Sequence, residues 1–246
     1  MDVLKVPILK RLYPSIIRRF FLIIGRIKFF YFIEGFKFEL DIRESIERKT
    51  YFQGSYEKKR MLYLVKNSKR IKSNIFLDIG SYIGFYSVLM SNNFEKVHAF
   101  EPLKRNFEIL SKNINANNLS DKIETYKFGL GNKKAKLFGG SNKKGKLMQS
   151  SGFSLIDRKN KNEEISIIKG DDILKYEDKT ITIKVDVEGF ELEVLKGIKE
   201  LLLKNTCFLQ IEIWEHNNEK VNLFLSDLKY NFIKTIDGDT YYSNIK

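Results

Sequence analysis

The sequence predicts an α/β fold, in which helices cover a mostly parallel β-sheet that ends in a closing antiparallel hairpin. From residue 74 onward, short runs of β-branched and apolar residues alternate with amphipathic helical segments, the pattern of parallel strands joined by crossover helices. Near the end of the chain, Asp237-Gly238 separates two strand-like runs, and this residue pair favours a tight hairpin turn. A basic, aromatic-rich segment over residues 1–37 precedes this pattern and is predicted to be an N-terminal helical extension.

The composition is typical of one folded domain with additions. The chain has 246 residues, of which 43% are hydrophobic and 30% charged, so it is neither a disordered polymer nor a multi-span membrane protein. Its three prolines and 15 glycines exclude fibrous and low-complexity classes. Cys207 is the only cysteine, which excludes a disulfide framework and a cysteine metal cluster and agrees with a cytoplasmic location.

The formal net charge of +13 has two explanations. Lysine, asparagine and isoleucine are all abundant, as an AT-rich genome would make them whatever the protein does. An acidic partner, such as an anionic glycan, an anionic membrane face or nucleic acid, would select the same charge. The charge by itself does not distinguish these explanations.

Residues 3–32 combine apolar runs with spaced basic residues. The apolar stretch at 20–25 is far shorter than the roughly 20 residues that span a bilayer, and the bases that flank it do not suit a secretory signal. Two interpretations stay open: a helix packed on the main domain, or a basic helix in peripheral contact with the anionic inner face of a membrane. The bases are Lys5, Lys10, Arg11, Arg18, Arg19, Arg26 and Lys28.

The main domain is predicted over residues 38–246, with its core at 74–246. A continuous apolar run at 75–79 is typical of a strand buried on both faces, and runs at 96–101, 123–128, 181–187 and 208–214 predict further strands. Helical spacing of apolar residues predicts helices at 85–91, 104–115, 191–203 and 220–229. The closing hairpin is predicted at 232–236 and 240–244.

Two segments fall outside this rhythm. Residues 57–66 predict a helix that turns Met61, Leu62 and Val65 inward, after a turn at Gly54-Ser55. Residues 131–172 are rich in glycine, lysine and asparagine, with short alternating runs at 134–138 and 165–168. We predict an insertion of hairpins and loops there. Because ligands of open α/β sheets bind beyond the carboxyl ends of the strands, this insertion should line the substrate entrance.

The stretch from 76 to 84, Phe-Leu-Asp-Ile-Gly-Ser-Tyr-Ile-Gly, predicts a cofactor loop. Asp78 closes the first core strand, and Gly80 lets the backbone approach a ligand. Gly84 allows the following helix to start close to the strand. The spacing is not the G-x-G-x-x-G that seats a pyrophosphate, so a dinucleotide is disfavoured.

Glu101-Pro102 ends the second core strand, where an acid is placed to accept the two hydroxyls of a ribose. A ribose-binding acid without a pyrophosphate loop indicates a nucleoside cofactor that carries no phosphates. S-adenosyl-L-methionine fits, with Asp78 and Gly80 near its amino-acid part and Glu101 on its ribose.

Several motifs, in order, carry a family resemblance: residues 78–87, Ala-Phe-Glu-Pro at 99–102 with Asn106 and Asn113, Asp-Asp-Ile at 171–173, residues 183–191, Val-Leu-Lys-Gly at 194–197 and Ile-Glu-Ile at 211–213. Together they resemble the FkbM family of methyltransferases from about residue 40 to residue 214, and 184–191 is a specific marker. The resemblance implies a Rossmann-like class I fold that uses S-adenosylmethionine, and usually O-methylation of a hydroxyl on a sugar, glycan or other secondary metabolite. One departure is Ser81-Tyr82, where the family commonly has Ala-Asn.

From the motifs and the resemblance together we expect one set of residues to bind the cofactor. They come from the first two strand tips, the helix that follows the second, the start of the insertion and the fourth strand tip. The set is Asp78, Gly80, Ser81, Tyr82, Gly84, Phe85, Glu101, Pro102, Asn106, Gly129, Leu130 and Asp186.

The fourth strand tip carries the predicted chemistry. Lys184, Asp186 and Glu188 alternate, so they should share one face, and charged groups at a buried strand end are costly unless paired or used. Asp186 is our candidate for the group that accepts or orients the hydroxyl proton, with Lys184 pairing to it or holding an acidic acceptor. Glu212 ends the neighbouring strand. His216 is the alternative base, because imidazole titrates near neutrality.

Other interpretations of these groups stay open. Asp186 could instead belong to the cofactor shell, and His216 could be a surface loop residue. Carboxylates at 171, 172, 186, 188 and 212 could bind Mg²⁺, but they lack a compact ligand spacing, so no metal is predicted.

Three rival functions are weaker. A nucleic-acid methyltransferase would suit the basic charge, but no proline follows Asp186 as amino-group methylation of bases usually requires, and Cys207 is at a strand start. The missing pyrophosphate loop argues against an NAD-dependent oxidoreductase. A non-catalytic S-adenosylmethionine-binding protein would not need a polar fourth strand tip. We therefore expect a sugar, glycan or small-molecule hydroxyl acceptor and no nucleic acid.

Overall fold

The computed structural model describes residues 27–140, 154–155 and 163–245, together with the single residues 19, 21, 23 and 25. In chain order the strands are β1 (Lys28–Ile33), β2 (Phe36–Asp41), β3 (Ile75–Ile79), β4 (Lys96–Phe100), β5 (Ile123–Tyr126), β6 (Gly129–Gly131), β7 (Ala135–Gly140), β8 (Ser154–Leu155), β9 (Glu163–Lys169), β10 (Thr180–Val185), β11 (Thr206–Glu212), β12 (Asn231–Ile236) and β13 (Asp239–Ser243).

The helices alternate with the core strands, as the periodicity predicts. They are α1 (Ser45–Gln53), α2 (Lys58–Arg70), α3 (Phe85–Leu89), α4 (Lys104–Ala116), α5 (Gly170–Ile173), α6 (Glu191–Gly197), α7 (Lys199–Lys204) and α8 (Asn218–Asp227). The single helix expected at 191–203 is therefore two helices, which meet at Ile198. A Cβ on Gly197 would collide with the carbonyl oxygen of Gly131, so the end of α6 packs directly on backbone.

The central sheet has seven strands in the order β12-β13-β11-β10-β3-β4-β5. The five strands from β11 to β5 are parallel, and the closing hairpin of β12 and β13 adds to β11 in antiparallel fashion. The chain runs outward from β3 to β5 and then returns to β10, on the other side of β3. The strand order reverses between β3 and β10, which is where open α/β sheets bind their ligands.

Both faces of the sheet are covered, because neighbouring side chains of a strand point to opposite faces. In β3, Phe76 joins the apolar cluster that includes Leu64 of α2 and Leu110 of α4. Leu77 joins the opposite cluster, which includes Leu195 of α6. Asp78 shares the face of Phe76, and because helices cover that face, the side chain of Asp78 is buried.

The insertion forms a second, four-stranded sheet in the order β6-β9-β7-β8. The two alternating runs predicted at 134–138 and 165–168 become β7 and β9, which pair in antiparallel fashion. β6 also joins this sheet and pairs with β9 in parallel, although it begins before the predicted start of the insertion. Residues 141–153 and 156–162 of the predicted insertion lie outside the described residues.

The predicted N-terminal helical extension is wrong for its last ten residues. β1 and β2 form an antiparallel hairpin that pairs Lys28 with Asp41 and Ile33 with Phe36, so a boundary at residue 37 would cut the hairpin. The segment is apolar enough to fit the 3.6-residue period of a helix or the two-residue period of a strand. In the structure Phe29, Tyr31 and Ile33 alternate with more exposed neighbours, as strand residues do. The described residues at 19, 21 and 23 are helical, and residues 1–18 lie outside the described part.

Helix α2 differs from its prediction in which side chains it buries. Met61 and Leu64 are buried, whereas the side chain of Leu62 is 59% exposed. Residues three or four apart share a helix face, so α2 packs through 61, 64 and 68 and turns 62 to solvent. No helix within the described ranges is long and apolar enough to cross a membrane.

Candidate active site

A cleft opens at the carboxyl ends of β3 and β10 and holds about 850 Å³ of space, part of it open solvent. Of the residues that the sequence predicts to bind a cofactor, the following line it: Gly80, Tyr82, Glu101, Pro102, Asn106, Gly129, Leu130 and Asp186. Asp78, Ser81, Gly84 and Phe85 do not line it. The Ser81 hydroxyl donates to the Asp78 carbonyl oxygen at 2.8 Å, and Phe85 stacks on Tyr56 with ring centres 4.3 Å apart.

Two glycines shape the loop between β3 and α3. Gly80 has a φ of +87°, and a Cβ there would collide with the carbonyl oxygen of Asp186. This glycine therefore lets the ends of β3 and β10 approach each other. Gly84 has a φ of +90°, and a Cβ there would lie 2.6 Å from Cδ1 of Leu110. Gly84 therefore lets the start of α3 pack closely on helix α4.

Glu101 is fixed by backbone donors on both carboxylate oxygens. Tyr82 N–H donates to Oε2 and Leu103 N–H donates to Oε1, each at 2.9 Å. The Asn106 side-chain amide is 3.5 Å from Oε1. Burial raises the pKa of Glu101 to about 8, although these hydrogen bonds oppose the shift. The carboxyl group therefore has one orientation, on the wall of the cleft.

Tyr82 links this loop to the N-terminal part of the chain. Its φ is +52°, which a residue other than glycine rarely adopts. Its hydroxyl donates to Glu47 Oε1 at 2.8 Å, and Glu47 also accepts from Asp41 N–H and from Arg105 Nη2. The tyrosine that departs from the family pattern is therefore bound to a buried carboxyl of helix α1.

Asp78 lies beneath the cleft. Its side chain is 1% exposed, and the Ser87 hydroxyl donates to Oδ2 at 2.5 Å. Oδ1 is buried and has no hydrogen-bond partner among the residues that the structure describes. Burial raises the pKa of Asp78, and the nearby Lys184 ammonium, opposite it on the neighbouring strand β10, opposes that shift.

Lys184 and Asp186 form a buried ion pair at the end of β10. Lys184 is 3% exposed, its Nζ donates to Asp186 Oδ2 at 2.7 Å, and it lies 4.6 Å from the ring centre of Tyr86. Burial would lower the pKa of Lys184, but Asp186 and Asp78 raise it overall. Burial would raise the pKa of Asp186, but Lys184 holds it below its usual range. Asp186 is therefore a charged carboxylate that faces the cleft.

Two further carboxyl groups stand beside Asp186. Glu212 ends the neighbouring strand β11 and shares a hydrogen bond with Asp186; burial and then the Asp186 charge raise the pKa of Glu212 to about 8. Glu188 lines the cleft, and burial followed by the charge of Asp186 raises its pKa to about 7. At neutral pH Glu212 therefore carries a proton that it donates to Asp186.

His216, the alternative base, does not line the cleft. It is exposed in a 3₁₀ turn, Glu215–Asn217, with its ring centre 6.0 Å from that of Trp214. The predicted strand at 181–187 ends at Val185, so Glu188 lies in a turn with a φ of +52° instead of continuing the alternation. Of the two candidate bases, the structure brings only Asp186 to the cleft.

Sequence reasoning missed most of the apolar cleft wall. Ile46 and Tyr56 come from the N-terminal part, where no motif marks them. Ile165 and Ile167 come from β9, and their alternation was the available signal that they share a face. Other missed residues are Ile79, Phe100, Leu103, Val187 and Phe190.

The alternative of a magnesium site gains no support from geometry. Within the described part of the chain, no group of three or more histidine, cysteine, aspartate or glutamate side chains is arranged to hold a metal ion. Asp171, one of the proposed ligands, accepts hydrogen bonds from the N–H groups of Glu200 and Leu201 in α7. It caps a helix start.

Comparison with known proteins identifies related domains. A family model described as "Methyltransferase FkbM domain" matches residues 78–232, more than half of the chain. Among solved structures, a methyltransferase FkbM from Methylobacillus flagellatus KT is 22% identical, with a TM-score of 0.49 over 70% of this chain and 43% of that one. A human methyltransferase 10 domain containing protein is 15% identical, with a TM-score of 0.50 over 94% of this chain and 95% of that one.

A third structure, Trm5 from Methanocaldococcus jannaschii in complex with adenosine, is 13% identical, with a TM-score of 0.41 over 89% of this chain and 56% of that one. No curated protein matches the chain. The chain spans less than half of the Methylobacillus protein and just over half of Trm5. The family model and the fold shared with the human protein confirm the predicted Rossmann-like class I methyltransferase fold.

Proposed function

Because the chain belongs to the FkbM family of methyltransferases, we propose that it uses S-adenosyl-L-methionine to methylate a hydroxyl group of an uncharged sugar, glycan or small-molecule acceptor. The observation that carries this proposal is the Asp186 carboxylate, which lines the cleft and is held by the buried ammonium of Lys184.

The cleft suits a nucleoside cofactor. Glu101 presents a carboxyl group of fixed orientation, as a ribose diol needs, and Leu103, Ile165 and Ile167 supply an apolar wall for a flat base. Below the cleft, Oδ1 of Asp78 has no donor among the described residues and is an acceptor in need of one. When bound, S-adenosylmethionine would supply an electrophilic methyl group on a sulfonium centre.

The residues of β10 would orient the acceptor. Asp186 is charged and can accept the acceptor's hydroxyl proton as that oxygen gains the methyl group. Lys184 and protonated Glu212 fix the position of the carboxylate, so its orientation costs no entropy during the reaction. Because the pKa of Asp186 is low, positioning supplies more of the rate than basicity does.

The charges near Asp186 favour an acceptor without negative charge. Asp186 carries a negative charge at the cleft, Glu188 adds a partial negative charge because its pKa is about 7, and the Lys184 ammonium is already paired. A phosphate or carboxylate at this end would be repelled, in spite of the net charge of +13. Cys207 is fully buried and burial raises the pKa of its thiol to about 12, which argues against the cysteine chemistry of cytosine methylation.

The test is a methyl-transfer assay with a choice of acceptors. The full chain is incubated with S-adenosylmethionine and, in parallel, with neutral glycans, acidic glycans and transfer RNA, and products are examined for the mass of one added methyl group. We expect methylation of the neutral glycans and its loss with Asp186→Asn. Methyl transfer to RNA alone would overturn the acceptor assignment, and binding of NAD without binding of S-adenosylhomocysteine would overturn the cofactor assignment.

A further inference from the structure

The outer face of the N-terminal hairpin combines exposed aromatic rings with lysines. Phe30 is 46% exposed and Phe32 is 65% exposed, both on the same face of β1. Their inward neighbours Phe29 and Tyr31 pack on Tyr51 of helix α1, with ring centres 5.3 Å and 4.8 Å apart. The hairpin is thus attached to the domain through its inner face, and the outward rings contribute little to that attachment.

Two lysines lie beside these rings, and the acid directly opposite Phe30, Glu39, is paired with Lys112 of α4. Lys28 is exposed on the same face of β1, and Lys37 of β2 holds its Nζ 4.6 Å from the ring centre of Phe30. We call Lys28, Phe30, Phe32 and Lys37 the hairpin patch. In the segment that leads to it, Ile23 is 83% exposed and Arg19 is exposed as well.

From this arrangement we propose that the hairpin patch is a docking surface for an anionic lipid bilayer. Aromatic rings beside lysines suit the interface of a membrane, where rings enter the headgroup region and long basic side chains reach the phosphates. The charge of the preceding segment is complementary to such a surface, because residues 1–27 carry one acid and six bases, Lys5, Lys10, Arg11, Arg18, Arg19 and Arg26.

The far edge of the central sheet provides a matched control. Phe232 on β12 is 60% exposed, close to the exposure of Phe32, and among the described strands both β1 and β12 pair on one side only. If any exposed phenylalanine caused adsorption to vesicles, the two positions would behave alike. Replacement by threonine removes the ring and introduces a β-branched side chain, which suits a strand.

The experiment measures co-sedimentation of the full chain with phosphatidylcholine vesicles, with and without phosphatidylglycerol. We expect binding to the vesicles that contain phosphatidylglycerol, and weaker binding at high salt because surface charges are screened. Phe30→Thr/Phe32→Thr should reduce the partition coefficient roughly tenfold, and Phe232→Thr less than about twofold. Lys28→Gln removes one exposed positive charge without placing an acid opposite Asp41, and it should reduce the partition coefficient roughly fivefold.

Three results would overturn the proposal. One is an absence of binding to the anionic vesicles. Another is equal vesicle binding by the wild type, by Lys28→Gln and by the double phenylalanine variant, with circular dichroism showing that both variants are folded. The last is a concentration-dependent dimer, or a complex with RNA, that Phe30→Thr/Phe32→Thr abolishes while vesicle binding persists. Such a result would assign the hairpin patch to a second copy of the chain or to nucleic acid.

Discussion

Glu101→Gln removes one carboxylate oxygen from a side chain whose two oxygens each accept a backbone N–H. The side chain is 5% exposed, so the N–H of Tyr82 or Leu103 that loses its acceptor gains little water in exchange. An unpaired buried group of this kind costs about 1–3 kcal/mol in free energy of unfolding. The substitution therefore reports first on the stability of the loop.

The same substitution reports on cofactor binding. At about pH 9, above the pKa of about 8 that burial gives Glu101, the side chain is a carboxylate. Loss of hydrogen bonds between the ribose and a charged acceptor then costs about 1.5–3 kcal/mol, which is roughly a 10- to 150-fold rise in Kd. Titration calorimetry with S-adenosylhomocysteine at that pH measures the Kd, and urea unfolding measures the stability.

Glu108→Gln is the matched control, because Glu108 is an exposed glutamate on the neighbouring helix α4. Glu108→Gln should change neither the Kd for S-adenosylhomocysteine nor the free energy of unfolding. An unchanged Kd for Glu101→Gln, with the stability lowered as expected, would mean that the carboxyl group only holds the loop and does not contact the ribose. An unchanged stability would refute the structural argument itself.

Three further predictions follow from the site. Asp186→Asn should lower kcat by about 10²–10⁴ with cofactor affinity unchanged, and His216→Ala, outside the cleft, should have little effect. Burial and the Asp186 charge raise the pKa of Glu212 from its ordinary value of 4.5 to about 8. The stability that this shift contributes is complete below about pH 4.5 and is lost as the pH rises through 8. Glu212→Gln should flatten that decline when the free energy of unfolding is measured with urea at a series of pH values. Gly80→Ala should cost more than about 3 kcal/mol of stability, but Gly35→Ala only about 1–2, because a Cβ at Gly35 would meet no atom of the described residues within 4 Å.

Each of these predictions has a contradicting result. If His216→Ala lowers kcat and Asp186→Asn does not, the proton acceptor lies in the loop after β11. Loss of cofactor binding in Asp186→Asn would assign Asp186 to the cofactor shell. Equal pH dependence of stability in wild type and Glu212→Gln would mean that Glu212 titrates normally, and equal cost at Gly80 and Gly35 would mean that the strand ends can separate.

Local patterns in the sequence determined the core of the sheet. β3, β4, β10 and β11 follow from short apolar runs, and their helices from 3.6-residue spacing, because a run that is buried on both faces has few other ways to fold. The position of Glu101 and Gly80 at strand ends follows from the same runs. A carboxyl end of a parallel strand always meets the ligand edge of the sheet, so Asp186 could be placed beside them from sequence.

The N-terminal part could not be placed in the same way. The segment at 28–41 is so rich in aromatic residues that its pattern fits a helix as well as a strand. Its pairing as a hairpin depends on packing against α1 and α4. For that reason neither Ile46 nor Tyr56 could be assigned to the cleft wall, although both contribute to it. Contacts between residues far apart in the chain leave no local signal in a single sequence.

Only the tertiary structure decided the chemical state of the site. Asp186 stays charged because Lys184 is buried beside it, and Glu212 keeps its proton because strand β11 brings it against that charge. These pKa values depend on burial and on distances of a few ångströms between neighbouring strands. The sequence determined which ionisable groups reach the ligand edge, whereas the packing of β10 between β3 and β11 decided which of them carry a proton.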